Sequence, residues 1–171
     1  TAGNWRNDEG PPEDNNTGAS CFDDDTIIEI TDGINAVCKG FMLGMYGATN
    51  EAIITGGTLT SSWLNVGRCN QNGGNGTLTM SGGVVTTGTL GVPLQFTSAV
   101  DPEKLGVGRL YLSGGTINCS ALNVGNGLVG QAHAVGGDGK VDIRNDGKII
   151  INGNSRDKIL NYINNSWITF Y

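Results

Sequence analysis

Short apolar runs of period two recur along the chain. Leu78/Met80, Leu110/Leu112 and Val141/Ile143 are each followed, after a glycine-containing break, by a second short run at Val85, Ile117 or Ile149, and Leu59 opens a similar run earlier. Alternation of this kind sends successive side chains to opposite faces and predicts half-buried β-strands of four or five residues. A helical period is found only in Asn154–Asn165 (NSRDKILNYINN). There Ser155 can N-cap, Asp157 falls in the first turn, and Ile159, Leu160, Tyr162 and Ile163 make an apolar face. The uncharged segment Trp167–Tyr171 (WITFY) then predicts a closing strand.

These runs belong to a repeated phrase: Gly-x-apolar-x-apolar-Ser/Thr-Gly-Gly-x-apolar, a few small residues, then Leu-x-Val-Gly. Gly76–Val92, Gly108–Gly125 and Glu51–Gly67 carry it most clearly, and Thr26–Gly44 and Gly139–Gly153 carry degenerate forms. The glycine pairs or their substitutes stand at 32–33, 56–57, 82–83, 114–115 and about 146–147, spaced by 24, 26, 32 and about 32 residues. Two or three such strands cannot bury an apolar face alone, but stacked repeats can, each adding a strand to every wall at a spacing of roughly 4.8 Å. The prediction is an all-β fold, a β-solenoid (β-helix) of about five coils over residues 26–153. An irregular lead-in over 1–25 and a helix-plus-strand cap over 154–171 complete a single domain. A β-sandwich of hairpins also gives short strands at regular spacing. Matching positions between repeats favour the solenoid, because a sandwich does not require them.

Composition agrees. Of 171 residues 29 are Gly, 19 Asn, 16 Thr and 9 Ser, which excludes a mainly helical chain, since each interior Gly costs a helix about 1 kcal/mol against Ala. A formal net charge of −6 argues against a nucleic-acid partner, which wants a basic face. No apolar run approaches the ~18 residues of a membrane span. The start at Thr1 without Met is read as a removed export signal or a boundary in a longer chain. Cys21, Cys38, Cys69 and Cys119 form no CxxC pair and His133 is the only histidine, so a zinc site is not expected. Two disulfides in an exported protein are the expectation, buried free thiols the alternative. Connectivity stays open among three pairings, of which Cys21–Cys38 with Cys69–Cys119 is one.

The phrases GTLTMSGG…LGV and GRLYLSGGTINCSALNVG resemble the repeats of bacterial exported proteins with autotransporter-associated β-strand repeats, often sorted by a PEP-CTERM tail. The opening Asn4-Trp5, Pro12 and Asp25-Thr26-Ile27-Ile28 is similar to theirs. So is the ending through Ile151–Gly153, Ile159–Ile163 and Trp167-Ile168. The chain carries no PEP motif or basic cluster at its C-terminal end. The resemblance implies a secreted or surface-located solenoid and no catalytic residues.

Chemistry-bearing motifs are few. Gly125–Gly130 (GNGLVG) matches the dinucleotide GxGxxG with Asp146 some 20 residues on, but the following QAHAVGGDGK is too Gly-rich for the helix that must hold a pyrophosphate. Gly136–Asp142 (GGDGKVD) is similar to a calcium β-roll nonapeptide with its aspartate one place late, and reads as a turn. Asp23 and Asp25 are weak cation candidates; with Asp24 they read better as a charged edge that blocks strand pairing. His133 lacks a nucleophile partner. Acid pairs would have to come from Asp101, Glu103, Asp138, Asp142 and Asp146, on a wall otherwise rich in Thr, Ser and Asn, so no enzyme and no cofactor are expected. Asn15, Asn75, Asn118 and Asn164 open glycosylation sequons.

Function therefore falls to the ends. A short solenoid has two open β ends, and open edges recruit strand. The N-terminal end is acidic, whereas Trp167, Ile168, Phe170 and Tyr171 are uncharged and can pack on a neighbour. The expectation is an extracellular structural protein that associates head to tail with copies of itself as the subunit of a surface or extracellular fibril. The alternative is a carbohydrate-binding or adhesive module using Trp63, Tyr46 or Tyr111 as a stacking platform on one wall.

Overall fold

The computed structural model describes residues 18–20, 24–69, 73–95, 106–125, 137–153 and 155–171. Its elements are β1 (Gly18–Ser20), β2 (Thr26–Ile30), β3 (Asn35–Leu43), β4 (Thr49–Ile54), β5 (Thr58–Val66), β6 (Arg68–Cys69), β7 (Asn75–Val92), β8 (Leu94–Gln95), β9 (Val107–Val124), β10 (Asp138–Ile143), β11 (Lys148–Ile151), α1 (Arg156–Asn164) and β12 (Ile168–Phe170). The fold is all-β. Ten strands form one sheet, which is largely parallel and not closed, and β6 and β8 form a separate pair.

The pairing offsets repeat the glycine spacing. Thr26 pairs Asn50, Thr49 pairs Asn75, Asn75 pairs Val107 and Asp138 pairs Val107, all in parallel. Within this sheet the strands fall into rows. The first row runs β2, β4, the first part of β7, the first part of β9, β10 and β12, and aligns Ile28, Ala52, Leu78, Leu110, Val141 and Ile168 in one buried column. The second row aligns Ala36, Leu59, Val85, Ile117 and Ile149. Pairing then lapses at Lys39, Ser62, Gly88 and Ser120, and the buried phase slips from Leu59/Ser61 to Leu64/Val66. A period-two pattern that slips by one marks a bend, so a third row follows, carrying the buried column Phe41, Leu64, Leu90 and Leu122. Truncating a central member such as Leu90 to Ala costs about 2–5 kcal/mol, because the flanking strands hold the cavity open.

The glycine pairs turn the chain from the first row to the second. Gly57, Gly83 and Gly115 have φ of +64°, +75° and +77°. A Cβ on Gly115 would stand 2.6 Å from the Gly82 carbonyl oxygen of the preceding repeat. Only glycine satisfies both the left-handed backbone and the close stacking. In the degenerate last repeat Asn145 takes the left-handed position, at φ +50°.

One interior column is not apolar. Cys38, Ser61, Thr87 and Cys119 lie on successive strands of the second row, and all four are buried. The Ser61 hydroxyl donates to Thr87 Oγ1 at 3.1 Å, and Thr87 donates to the Thr89 carbonyl at 3.2 Å, so both hydroxyls are satisfied without water. Cys38 and Cys119 are three strands apart, roughly 14 Å by strand spacing, beyond disulfide reach. Cys119 is a free thiol, and no disulfide joins two described cysteines. Cys21 and the Cys69 side chain lie outside the described residues, so the expected pairings that include them are not addressed.

Candidate functional site

The two ends of the stacked rows differ in how far their interior side chains are covered. In the first coil-like turn Ile28, Ile30 and Ala36 are at most 2% exposed. At the other end Val141, the counterpart of Ile28, is also buried, but Ile143 and Ile149, the counterparts of Ile30 and Ala36, are only partly buried, as is Ile151. β11 finds its described partner in β9 alone, and β12 in β10 alone. An apolar cleft of about 440 Å³ opens here, lined by Leu122, Ile143, Ile149, Ile151, Ile159 and Phe170, with Arg144, Lys148 and Tyr171 also in its wall.

Helix α1 closes one side of this end. Ser155 stands at the N-cap without a side-chain cap bond, and Asp157 lies in the first turn as expected. Tyr162 is buried, with its ring 5.8 Å from that of Trp167, and Ile159 and Ile163 pack on the core. Burial raises the Tyr162 phenol pKa, partly offset by the Val124 backbone. Leu160, expected on the apolar face, is instead 41% exposed. Lys158 donates to Asn123 Oδ1 at 2.5 Å, fixing the helix to β9, and burial lowers its pKa.

Of the four residues expected to make self-association contacts, Ile168 is buried and Trp167 packs against the core, so both hold the end together. Phe170 and Tyr171 are 58% and 79% exposed and form the accessible surface. Ile150 and Leu160 add exposed apolar surface on β11 and α1. Arg144 crosses the rim: its Nε donates to Asp142 Oδ2 at 3.0 Å and its guanidinium lies over the Tyr171 ring. The Asp142 hydrogen bond raises the Arg144 pKa further, keeping that rim charge fixed.

Other candidate residues are dispersed. Asp138 is ion-paired with Arg109 and Asp142 with Arg144, so these acids are engaged with arginines rather than with each other. Asp146 is exposed in the turn before β11. Asp24 accepts from the Thr49 amide at 2.7 Å, spending its carboxylate on the backbone, while Asp25 is exposed at φ +60°. Among the described residues no three His, Cys, Asp or Glu lie close enough together to hold a metal ion. Asp23, Asp101, Glu103, His133, Asn15 and all of the first Gly-rich motif but Gly125 lie outside the described residues, whereas the second is described from Gly137 and, rather than a turn, runs into β10 at Asp138. Asn75 and Asn164 are exposed, and Asn118 is half-buried.

The three candidate platform aromatics lie on different parts of the sheet. Trp63 is half-buried on the third row, where its ring occupies the space a Cβ on Gly40 would need. Tyr111 is 44% exposed on the first row, and Tyr46 lies in the turn before β4. The outward face of the second row carries Thr58, Thr60, Val84, Thr86, Thr116 and Asn118, a strip that stays uncharged until Lys148 on β11.

No protein-family model matches the chain, and no curated protein or solved structure matches it either.

Proposed function

We propose that this chain is an extracellular structural protein: a β-solenoid of about five coils that associates head to tail with copies of itself as the subunit of a surface or extracellular fibril. The carrying observation is the C-terminal end, where an apolar cleft of about 440 Å³ lies between strand edges and beside exposed Phe170 and Tyr171. Strand edges with unspent backbone groups next to apolar surface are templates for further strand. A contact between unlike ends propagates into a filament when its rotation does not close. The parallel offsets of 24 to 32 residues support the solenoid reading, because each matches one repeat of the sequence phrase. The extracellular assignment draws on the resemblance to exported repeat proteins. A structural rather than catalytic role is supported by the engagement of Asp138 and Asp142 with arginines.

The test is negative-stain microscopy and sedimentation of the purified chain beside the double variant Phe170→Ser/Tyr171→Ser. These positions are exposed, so the variant keeps its fold. Concentration-dependent filaments that disappear in the variant support the proposal. A wild-type chain that stays monomeric at every concentration contradicts it.

A further inference from the structure

The opposite ends of the molecule carry opposite charge at the same corner. Among the described residues, 24–47 hold four Asp or Glu against one Lys, whereas 137–171 hold four Asp or Glu against five Lys or Arg. The corner that turns the first row into the second is built from equivalent residues in each repeat. The Thr55 amide donates to the Ile30 carbonyl, and the Arg144 amide to the Leu112 carbonyl, in the same relation. Asp32, just after β2, therefore stands at the corner that Arg144 and Lys148 occupy at the far end of the stack.

Both corners are exposed and carry unspent charge. Asp25, Glu29 and Asp32 are exposed and form no ion pair among the described residues. Lys148 lines the cleft, is exposed, and likewise forms no ion pair among the described residues, while Arg144 is held by Asp142. The interior side chains of the first row are already covered at the N-terminal end. That end therefore offers a charged strand edge, not an apolar core. β2 has its described partner in β4 only, just as β12 has its in β10.

We infer that the C-terminal end receives the acidic first turn of a second copy, with β2 of the incoming chain extending β12 in parallel and its Asp32 at the Lys148 corner, two strand spacings (roughly 9–10 Å) further along the stack. This rests on the head-to-tail reading above and gives it a polarity and a register. Column continuity places the incoming Ile28 beside Ile168 and Ile30 beside Phe170, which would cover the exposed Phe170 ring. Such a charge pair at a rim acts mainly on partner choice and encounter rate, and is screened by salt.

The test is a charge exchange in the full chain, read by sedimentation velocity at low and high salt, with circular dichroism confirming the fold of each variant. Lys148→Glu and Asp32→Lys are each expected to weaken association about tenfold at low salt and much less at high salt. An equimolar mixture of the two single variants is expected to associate again, because copies that alternate set opposite charges against each other at every contact. The double variant D32K/K148E restores a matched pair at every contact and is expected to return association to within a few-fold of wild type. Failure of the double variant to recover overturns the inference. So does a closed dimer that ignores Asp32→Lys yet is lost in Phe170→Ser/Tyr171→Ser, which would mean that two C-terminal ends meet each other. Filaments that depend on Phe170 and Tyr171 but ignore both charge variants overturn this register and leave the head-to-tail reading standing. A wild-type chain that never associates overturns both.

Discussion

The Arg144 guanidinium carbon lies 4.9 Å from the centroid of the Tyr171 ring, holding an otherwise exposed aromatic at the lip of the apolar cleft. An exposed cation–π contact of this kind is worth about 0.5–1 kcal/mol. Arg144→Ala is therefore expected to weaken self-association about two- to fivefold by freeing Tyr171. The melting temperature should also fall modestly, because Asp142, whose side chain is only 13% exposed, loses its Arg144 partner. Sedimentation velocity beside a thermal melt separates the two effects. A large drop in melting temperature with no change in association would show that the pair serves the fold alone.

Two glycines of similar backbone conformation should respond differently to alanine. Gly33 and Gly115 have φ of +83° and +77°, but a Cβ on Gly33 meets nothing within 4 Å, while one on Gly115 meets the Gly82 carbonyl oxygen at 2.6 Å. Gly33→Ala should cost only the left-handed strain, about 1–2 kcal/mol. Gly115→Ala should cost clearly more, because a neighbouring backbone must also move. Urea titrations of both variants check the order. Equal losses would mean that stacking contact at the corner is unimportant.

The buried Ser61–Thr87 hydrogen bond predicts a strongly coupled pair. Thr87→Val leaves the Ser61 hydroxyl buried and unpaired, a cost of about 1–3 kcal/mol. Adding Ser61→Ala to that variant should recover much of the loss, because no orphan group remains. A double-mutant cycle measured by denaturation gives the coupling directly. Additive losses would show that the two hydroxyls act independently.

Burial pushes the Cys119 thiol from its ordinary 9.0 to about 11. In the unfolded chain the thiol ionises first, so above pH 9 the unfolded state binds fewer protons than the folded state and stability falls. The full contribution is present below the unfolded value and is lost as pH rises towards the folded one, at about 1.4 kcal/mol per pH unit between the two. Cys119→Ala should remove this part of the alkaline slope. At pH 8 iodoacetamide should leave Cys119 unlabelled in the folded chain and label it after denaturation, as mass spectrometry can show. Rapid labelling of the folded chain would contradict its burial.

The repeats could be read because each wall position answers to the same constraint in every turn. Gly57, Gly83 and Gly115 need a left-handed backbone against a neighbouring carbonyl, and the Leu78 and Leu110 positions need burial, so spacing in the sequence reappears as register between strands. The helix was readable from its period. What the sequence pattern could not supply is which apolar residue is covered by something distant. WITFY reads as one exposed strand, yet Ile168 continues the column of Val141 and Trp167 meets Tyr162, leaving only the side chains of its last two residues exposed. Trp63 reads as a platform because nothing in its own repeat covers it; its cover is the space left by Gly40, on the neighbouring strand. Ser61 and Thr87 alternate in phase with apolar neighbours, but only the register shows that each is the other's hydrogen-bond partner.

Amide hydrogen exchange, compared between dilute and concentrated protein, tests the end-on contact most directly. The account predicts that protection rises with association at the open edges, Lys148–Ile151 and Ile168–Phe170, and at Thr26–Ile30 of the receiving partner's neighbour, with the central strands β5, β7 and β9 unchanged. Protection appearing instead on the Thr-rich outer face of the second row, with those edges still exchanging freely, would contradict it.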